Sequence, residues 1–291
     1  MGFRLADRAQ RAVLVRDDEY FDLERVSDGA FPSDVMAVLS RFDQLSQQAD
    51  GYLASATADG TVVPSELGPP VPRPSKILAV GLNYAPHADE SQLVVPEFPM
   101  VFPKFPSCLS GPADPIPLVS DSVDWEVELV LVVGRRARRV SEVDALSFIA
   151  GATVGQDVSD RYVQMLGAPP QFGLGKSFDG FGPLGPVIVD LPQLGGASDL
   201  SIWCDVDGER VQNASTGDML FSPQYLVSYL SHILTLEPGD LIFTGTPAGV
   251  GLGRTPPRYL RPGEVVECGI EGIGTMRLTT VADAGSYAPF R

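Results

Sequence analysis

The segment Asp124-Trp125-Glu126-Val127-Glu128 places carboxylates at alternate positions ahead of the apolar run Leu129-Val130-Leu131-Val132-Val133, and Gln156-Asp157 adds another acid downstream. The alternation has the period of a strand, so Asp124, Glu126 and Glu128 are expected on one face and Trp125, Val127 and Leu129 on the other. Three like charges on one face repel each other unless water or a cation lies against them. Carboxylate oxygens suit a hard divalent ion such as magnesium; the plain alternative is a solvated edge strand. His87 and Glu90 are three apart in Asn83-Tyr84-Ala85-Pro86-His87-Ala88-Asp89-Glu90, so one helical turn puts them on one face. A carboxylate beside an imidazole raises its basicity and fixes its tautomer, which is what a general base needs; a surface His beside a surface Glu is the plain alternative. Gly175-Lys176-Ser177 resembles the end of a phosphate-binding loop, but the position that must be glycine holds Pro170, and that reading fails. Thr244-Gly245-Thr246-Pro247-Ala248-Gly249-Val250-Gly251 lacks the GxGxxG spacing and a following helix. It is expected either as a simple turn or as a tight loop presenting backbone N–H groups and the Thr246 hydroxyl to a small ligand.

These residues need elements to position them. Ile77-Leu78-Ala79-Val80-Gly81 reads as a buried strand ending at glycine, just before the His87 segment. Residues 126–133 form the acidic strand, and 143–150 and 159–166 read as short helices. Further strands are expected at 187–189, 201–206, 241–244, 265–268 and 276–279, with a helix from Pro223 to Leu234. His232 lies on that helix and is expected to be structural or at the surface. Ahead of them, residues 11–25 read as a hairpin. Residues 33–48 read as an amphipathic helix, with Ser33 as N-cap and Val35, Met36, Leu39, Phe42 and Leu45 on its apolar face. The passage Pro69-Pro70-Val71-Pro72-Arg73-Pro74 can neither continue a helix nor sit in a central strand, and is expected to lead out of a small N-terminal domain. The domains expected are therefore 1–70 and 71–291. The larger one is β-rich, without the strand–helix alternation of a doubly wound sheet.

The 291-residue chain has 44% hydrophobic and 20% charged residues, with 30 Gly and 26 Pro, a composition that favours turns and short strands in a folded protein with a substantial core. A net charge of −16 argues against nucleic acid as a partner, and requires local positive charge for any acidic substrate. Cys108, Cys204 and Cys268 are dispersed and form no CxxC pair, which fits a reducing compartment and not a structural zinc site. The first residues lack the apolar core of a signal peptide, and no apolar run reaches membrane-spanning length. A cytoplasmic enzyme, with no membrane partner, is the expectation.

GLNYAPHADE, DWEVELVLVVGRRAR, GATVGQDVSDRYVQ, GKSFDGFGPLGPVIVD, VDGERVQNASTGDMLF, LEPGDLIFTGTPAGVG and GIEGIGT occur in this order. In this the chain resembles the fumarylacetoacetate hydrolase family over about residues 76–281, and residues 1–70 resemble the small variable N-terminal domain of its longer bacterial members. The resemblance implies an α+β, mostly β fold. It consists of a catalytic domain of mixed β-sheets in a β-roll or sandwich with a few short helices, preceded by a small α+β domain. It implies one magnesium or manganese ion on Glu126, Glu128 and Asp157, with Asp124 at a variable, non-ligand position. It implies His87 and Glu90 as the pair that activates water, Lys176 as a further catalytic residue, and Tyr84, Arg161, Gln164 and Thr246 as contacts to the substrate's carboxylate and oxo groups. A homodimer is implied as well. Two departures bear on substrate identity: Gly274-Thr275-Met276-Arg277-Leu278 replaces a GxLxN pattern, and the arginines and prolines of residues 252–259 reshape one wall.

Two neighbouring oxygens of a keto acid can chelate such an ion, which polarises the carbonyl and stabilises the enolate. Lys176 and Arg161 add complementarity to a carboxylate. The leading expectation is hydrolysis of a C–C bond in an acylpyruvate-like or other 1,3-dicarbonyl substrate. The same parts also serve decarboxylation, or tautomerisation and isomerisation, of oxaloacetate-like or hydroxy-diene-dioate acids. A non-catalytic metal-stabilised scaffold is the rival from another class, and His87 with Glu90 argues against it.

Overall fold

The computed structural model describes residues 2–91 and 94–283; Met1 and the last residues of the expected 71–291 domain lie outside them. Two sheets carry the fold. The larger runs, in hydrogen-bonded order, through Glu19–Asp22, Arg11–Arg16, Arg4–Arg8, Gly182–Val189, Ile149–Gln156, Val127–Val133, Leu241–Phe243, Ile77–Gly81 and Met100–Lys104, with two-residue strands at its margins. Most neighbours are antiparallel, but Leu241–Phe243 runs parallel to Ile77–Gly81, so the sheet is mixed. The second sheet is ordered Glu209–Ser215, Ser201–Val206, Val265–Ile270, Gly274–Ala282 and Ile116–Leu118. It packs across Val127–Val133 and Ile149–Gln156. The result is the mostly β sandwich expected.

That packing explains why Val127–Val133 is buried along its whole length. A strand covered on both faces reads as a near-continuous apolar run, not as an alternation. It is therefore a central strand and not a solvated edge. The hairpin expected at 11–25 forms as Arg11–Arg16 against Glu19–Asp22. The helix expected over 33–48 is two helices, Val35–Leu39 and Phe42–Ala54. The cap of the first is Asp34, not Ser33: its carboxylate accepts the Met36 N–H at 3.2 Å. The helix expected at 143–150 is a 3-10 turn, Ala145–Phe148, that gives way to the strand Ile149–Gln156.

Residues 1–70 build onto the same sheet. Arg4 pairs with Val189 and Leu5 with Ile188, so the first strand of the chain lies beside the Gly182–Val189 strand of the larger region. Phe42 abuts Gly134 at the end of the acidic strand: a Cβ on that glycine would lie 2.4 Å from the Phe42 ring. Phe3, Leu5, Phe21, Phe31 and Leu45 belong to one continuous core with Val127–Val133. Among the described residues no helix is long and apolar enough to cross a membrane.

Candidate active site

The register of the central pair creates the acidic cluster. Val127 faces Gln156, so Glu126 and Asp157 meet just past the end of the ladder, where the Asp157 N–H donates to the Glu126 carbonyl at 2.8 Å. Glu126, Glu128 and Asp157 each turn a carboxylate oxygen to within 4.8 Å of the other two, and all three are buried. Side-chain amides complete the backbone here. Gln156 Oε1 accepts the Glu126 N–H at 2.9 Å, and Gln212 Oε1 accepts the Val127 N–H at 3.0 Å.

Asp124 does not join them. Val123–Asp124 pairs with Ser159–Asp160 in a separate two-stranded ribbon, and the Asp124 carboxylate turns to Arg161. The expectation of three acids on one strand face is thus corrected: the ladder breaks at Trp125-Glu126, and the alternation does not carry across the break.

Cations flank the cluster unevenly. Lys176 Nζ lies 2.7 Å from both Glu126 Oε2 and Asp157 Oδ2, and Arg161 Nη1 lies 2.7 Å from Glu126 Oε1. Burial alone would raise Glu126, but Lys176 and Arg161 outweigh it and bring its carboxyl down to about 2. The same two carboxylates outweigh burial at Lys176 and hold its ammonium above the usual lysine range. Glu128 stands apart. It accepts the Gly245 N–H at 2.8 Å. Among the described residues no ion pair reaches it. Burial first, then the charges of Asp157 and Glu126, hold its carboxyl well above the ordinary range. Three buried carboxylates with converging oxygens, of which Glu128 has no ion-pair partner among the described residues, fit a hard divalent ion.

Glu128→Gln is therefore expected to stabilise the metal-free protein by about 1–2 kcal/mol. The sign follows from a folded-state pKa raised above the unfolded one. The wild-type penalty is absent below the unfolded value of about 4.3 and grows as pH rises toward the folded value. Thermal melts with a chelator should show the gain at about pH 7.5 and lose it near pH 4, and the variant should lose the melting-temperature rise caused by magnesium.

His87 and Glu90 sit on the short helix Ala85–Glu90, with Pro86 in its first turn. Asn83 fixes the entry, donating to the Thr244 carbonyl at 2.7 Å and accepting the Phe221 N–H at 2.7 Å. His87 Nδ1 lies 2.8 Å from Glu90 Oε1, and Glu90 Oε2 accepts the Gly249 N–H at 2.9 Å. The glycine-rich loop thus differs from expectation. Its N–H groups serve the protein's own acids: Gly245 to Glu128, Gly249 to Glu90, Gly251 and Leu252 to Asp124. Gly245 at φ +103° and Gly249 at φ +112° give the turns this requires. The Thr246 hydroxyl donates to the Val127 carbonyl at 2.9 Å and receives Gln212 Nε2 at 2.8 Å.

Arg161 and Gln164 lie one turn apart on the helix Arg161–Gln164, and Arg161 Nη1 donates to Gln164 Oε1 at 2.8 Å. Gly175 allows the next helix close: a Cβ there would lie 2.5 Å from the Gln164 nitrogen, which brings Lys176 alongside. Of the residues singled out from sequence, His87, Glu126, Glu128, Arg161, Gln164, Lys176 and Thr246 line one cavity of about 60 Å³, with Leu82, Phe102, Met165, Phe172 and Leu252 as apolar walls. Asp157 and Glu90 stand directly behind it. Tyr84 is buried beside the wall, not in it, and its hydroxyl has no hydrogen-bond partner among the described residues. Burial, then Glu128, push the Tyr84 hydroxyl's pKa up.

Sequence reasoning passed over Lys104. Its ammonium is buried and lies 2.7 Å from Asp157 Oδ1 and 3.1 Å from the Phe181 carbonyl, and it also donates to the Lys176 carbonyl. The available signal was a lone lysine closing the apolar strand Met100–Lys104. His232 is exposed, with Nδ1 2.9 Å from the Ser228 carbonyl, as expected.

Known proteins resemble this chain in sequence and in fold. Residues 76–281 match the family described as fumarylacetoacetate (FAA) hydrolase C-terminal. A bovine (Bos taurus) protein named oxaloacetate tautomerase FAHD2B, mitochondrial, is 45% identical over 209 residues, covering 71% of this chain and 67% of its own. A crystal structure of a protein from Mycobacterium smegmatis is 40% identical with a TM-score of 0.88, covering 96% of this chain and 99% of its own. A maleylpyruvate hydrolase from Sphingobium sp. SYK-6, crystallised with manganese(II) and pyruvate, is 28% identical with a TM-score of 0.78, covering 96% and 99%. With the sandwich and the acidic cavity, these matches establish that the chain is an enzyme of the fumarylacetoacetate hydrolase family.

Proposed function

We propose that this chain catalyses divalent-metal-dependent keto–enol chemistry on a short α-keto acid, with tautomerisation of an oxaloacetate-like diacid as the reaction its geometry supports best. The observation that carries this reading is His87, a buried imidazole lining the same cavity as Glu126 and Glu128 and oriented by Glu90. Glu126, Glu128 and Asp157 would hold magnesium or manganese. When bound, that ion supplies polarisation of the substrate carbonyl and stabilises the negative charge of the enolate. The protein's own residues do the rest. Arg161 and Gln164 meet the substrate carboxylate, and Lys176 adds positive charge beside it. With Nδ1 engaged by Glu90, His87 keeps Nε2 to take a proton from the enol oxygen or the adjacent carbon and return it to the other. The apolar walls limit the entry of bulk water to the cavity that these residues line.

Hydrolysis of an acylpyruvate-like 1,3-dicarbonyl is the second reading, and one observation favours it. Glu90 is anchored on the Gly249 N–H, a geometry in which His87 can equally deprotonate a water aimed at a carbonyl. The fold shared with the maleylpyruvate hydrolase supports it as well. It demands additional space for the water and the acyl group. The bovine relative's name favours tautomerisation. A homodimer and a cytoplasmic location complete the proposal; three free, buried cysteines suit a reducing compartment.

The test is a paired assay. Loss of oxaloacetate enol absorbance should accelerate on adding enzyme with magnesium or manganese, and fall back to the uncatalysed rate with a chelator. Acetylpyruvate is followed for pyruvate and acetate, and oxaloacetate for carbon dioxide. Cleavage without enol conversion would favour the hydrolase, carbon dioxide release a decarboxylase, and no divalent-dependent turnover of either substrate would sink the proposal.

A further inference from the structure

Asp124 holds two parts of the cavity wall without lining the cavity. It is fully buried and absent from the lining. Its Oδ2 accepts Arg161 Nε at 2.8 Å and the Leu252 N–H at 2.9 Å, and lies 2.7 Å from Arg161 Nη2. Its Oδ1 accepts the Gly251 N–H at 2.7 Å and the Trp125 N–H at 2.9 Å. Gly251 is what permits this approach: an added Cβ would lie 2.7 Å from Asp124 Oδ1 and 1.8 Å from the Arg258 carbonyl. One carboxylate therefore fixes two pieces of the cavity wall from behind, the Arg161 guanidinium and the Leu252 loop. With Nε and Nη2 turned to Asp124, Arg161 presents Nη1 toward Gln164 and Glu126.

We propose that Asp124 is a positioning residue for substrate-carboxylate recognition: it sets the direction of the Arg161 guanidinium and thereby governs how tightly a short α-keto acid is held. This rests on the reading that Arg161 meets the substrate carboxylate. Asp124 takes no part in proton transfer and holds no ion. Its loss should weaken substrate binding and spare turnover at saturation, the pattern left when an interaction common to ground and transition states is removed.

The experiment compares Asp124→Asn, Arg161→Met and the double variant with wild type, measuring KM and kcat for oxaloacetate with magnesium, and the magnesium-induced rise in melting temperature. For Asp124→Asn we expect KM to rise about 10–100-fold, the usual cost of losing the partner behind a contacting group, with kcat within about threefold. The magnesium-induced rise should be kept. The double variant should have the KM of Arg161→Met alone, because Asp124 acts through Arg161. A raised KM in Arg161→Met with wild-type KM in Asp124→Asn overturns the positioning role alone. An unchanged KM in Arg161→Met overturns the carboxylate assignment of Arg161 and this proposal with it. Additive KM effects, or a loss of kcat and of the magnesium response together, would mark Asp124 as merely structural and also overturn it. Should Asp124→Asn fail to fold, Arg161→Lys asks the same question, since it keeps the charge and loses the Nε donation to Asp124. It should raise KM about tenfold, and a wild-type KM there overturns the proposal.

Discussion

Replacing His87 with glutamine is expected to lower kcat by about 10²–10⁴-fold while leaving KM and the magnesium-induced rise in melting temperature near wild type. The reasoning rests on which nitrogen does what. His87 Nδ1 lies 2.8 Å from Glu90 Oε1, so the neutral imidazole carries its proton on Nδ1 and keeps the Nε2 lone pair for the cavity. Glu90 is itself held by the Gly249 N–H, so the ring is oriented from behind by a fixed acceptor. Glutamine preserves much of the volume but cannot exchange a proton near neutral pH. Glu90→Gln sharpens the test. An amide N–H turned toward Nδ1 would force the other tautomer, protonate Nε2 and remove the base without removing the histidine. Both variants should keep the metal response, because neither residue is among the three converging carboxylates. Turnover within tenfold of wild type in His87→Gln would eliminate His87 as the proton carrier.

Sequence pattern reached the site most directly where chemistry and period agree. Glu126, Glu128, His87 and Glu90 sit at spacings that a strand or one helical turn must bring together, and the structure places them around one cavity. Asp124 shows the limit of the same argument. Period-two alternation holds only while the ladder is continuous. Here Val123–Asp124 belongs to a different ribbon from Val127–Val133. The break is invisible in sequence because Gln156 and Gln212, from distant segments, take over the backbone N–H groups of Glu126 and Val127. The glycine-rich loop was legible as a tight turn with free N–H groups, but not its customer: three internal carboxylates from two segments. The pairing of Arg4 with Val189 was equally out of reach, since nothing local fixes the register of strands so far apart in the chain. The split of the helix expected over 33–48 reflects a weaker signal of the same kind. Apolar spacing survives across Ser40-Arg41, while the backbone breaks there and Arg41 turns to donate to the Ala30 carbonyl at 2.8 Å.

Lys104 carries the other large effect. Its ammonium is 2% exposed and satisfies Asp157 Oδ1 and the carbonyls of Phe181 and Lys176. Methionine would keep most of the side-chain volume and remove the charge and all three donors. The cost of breaking a buried ion pair from one side is about 3–5 kcal/mol, because the abandoned partner stays buried. Asp157 retains Lys176 at 2.7 Å, so the expected loss for Lys104→Met in the metal-free protein is near the lower end, about 3 kcal/mol. In a chain of this size that is a fall in melting temperature of about 5 °C. Losing one cation also leaves Glu126, Glu128 and Asp157 facing each other with less compensation. Saturating magnesium should therefore recover part of the deficit, giving Lys104→Met a larger ion-induced rise than wild type. Lys104→Arg tests whether charge alone suffices. A planar fork cannot reproduce three donors radiating from one ammonium, so arginine should restore only part of the stability. A melting temperature within about 2 °C of wild type for Lys104→Met would show that Lys176 alone balances Asp157 and that Lys104 is dispensable to the site.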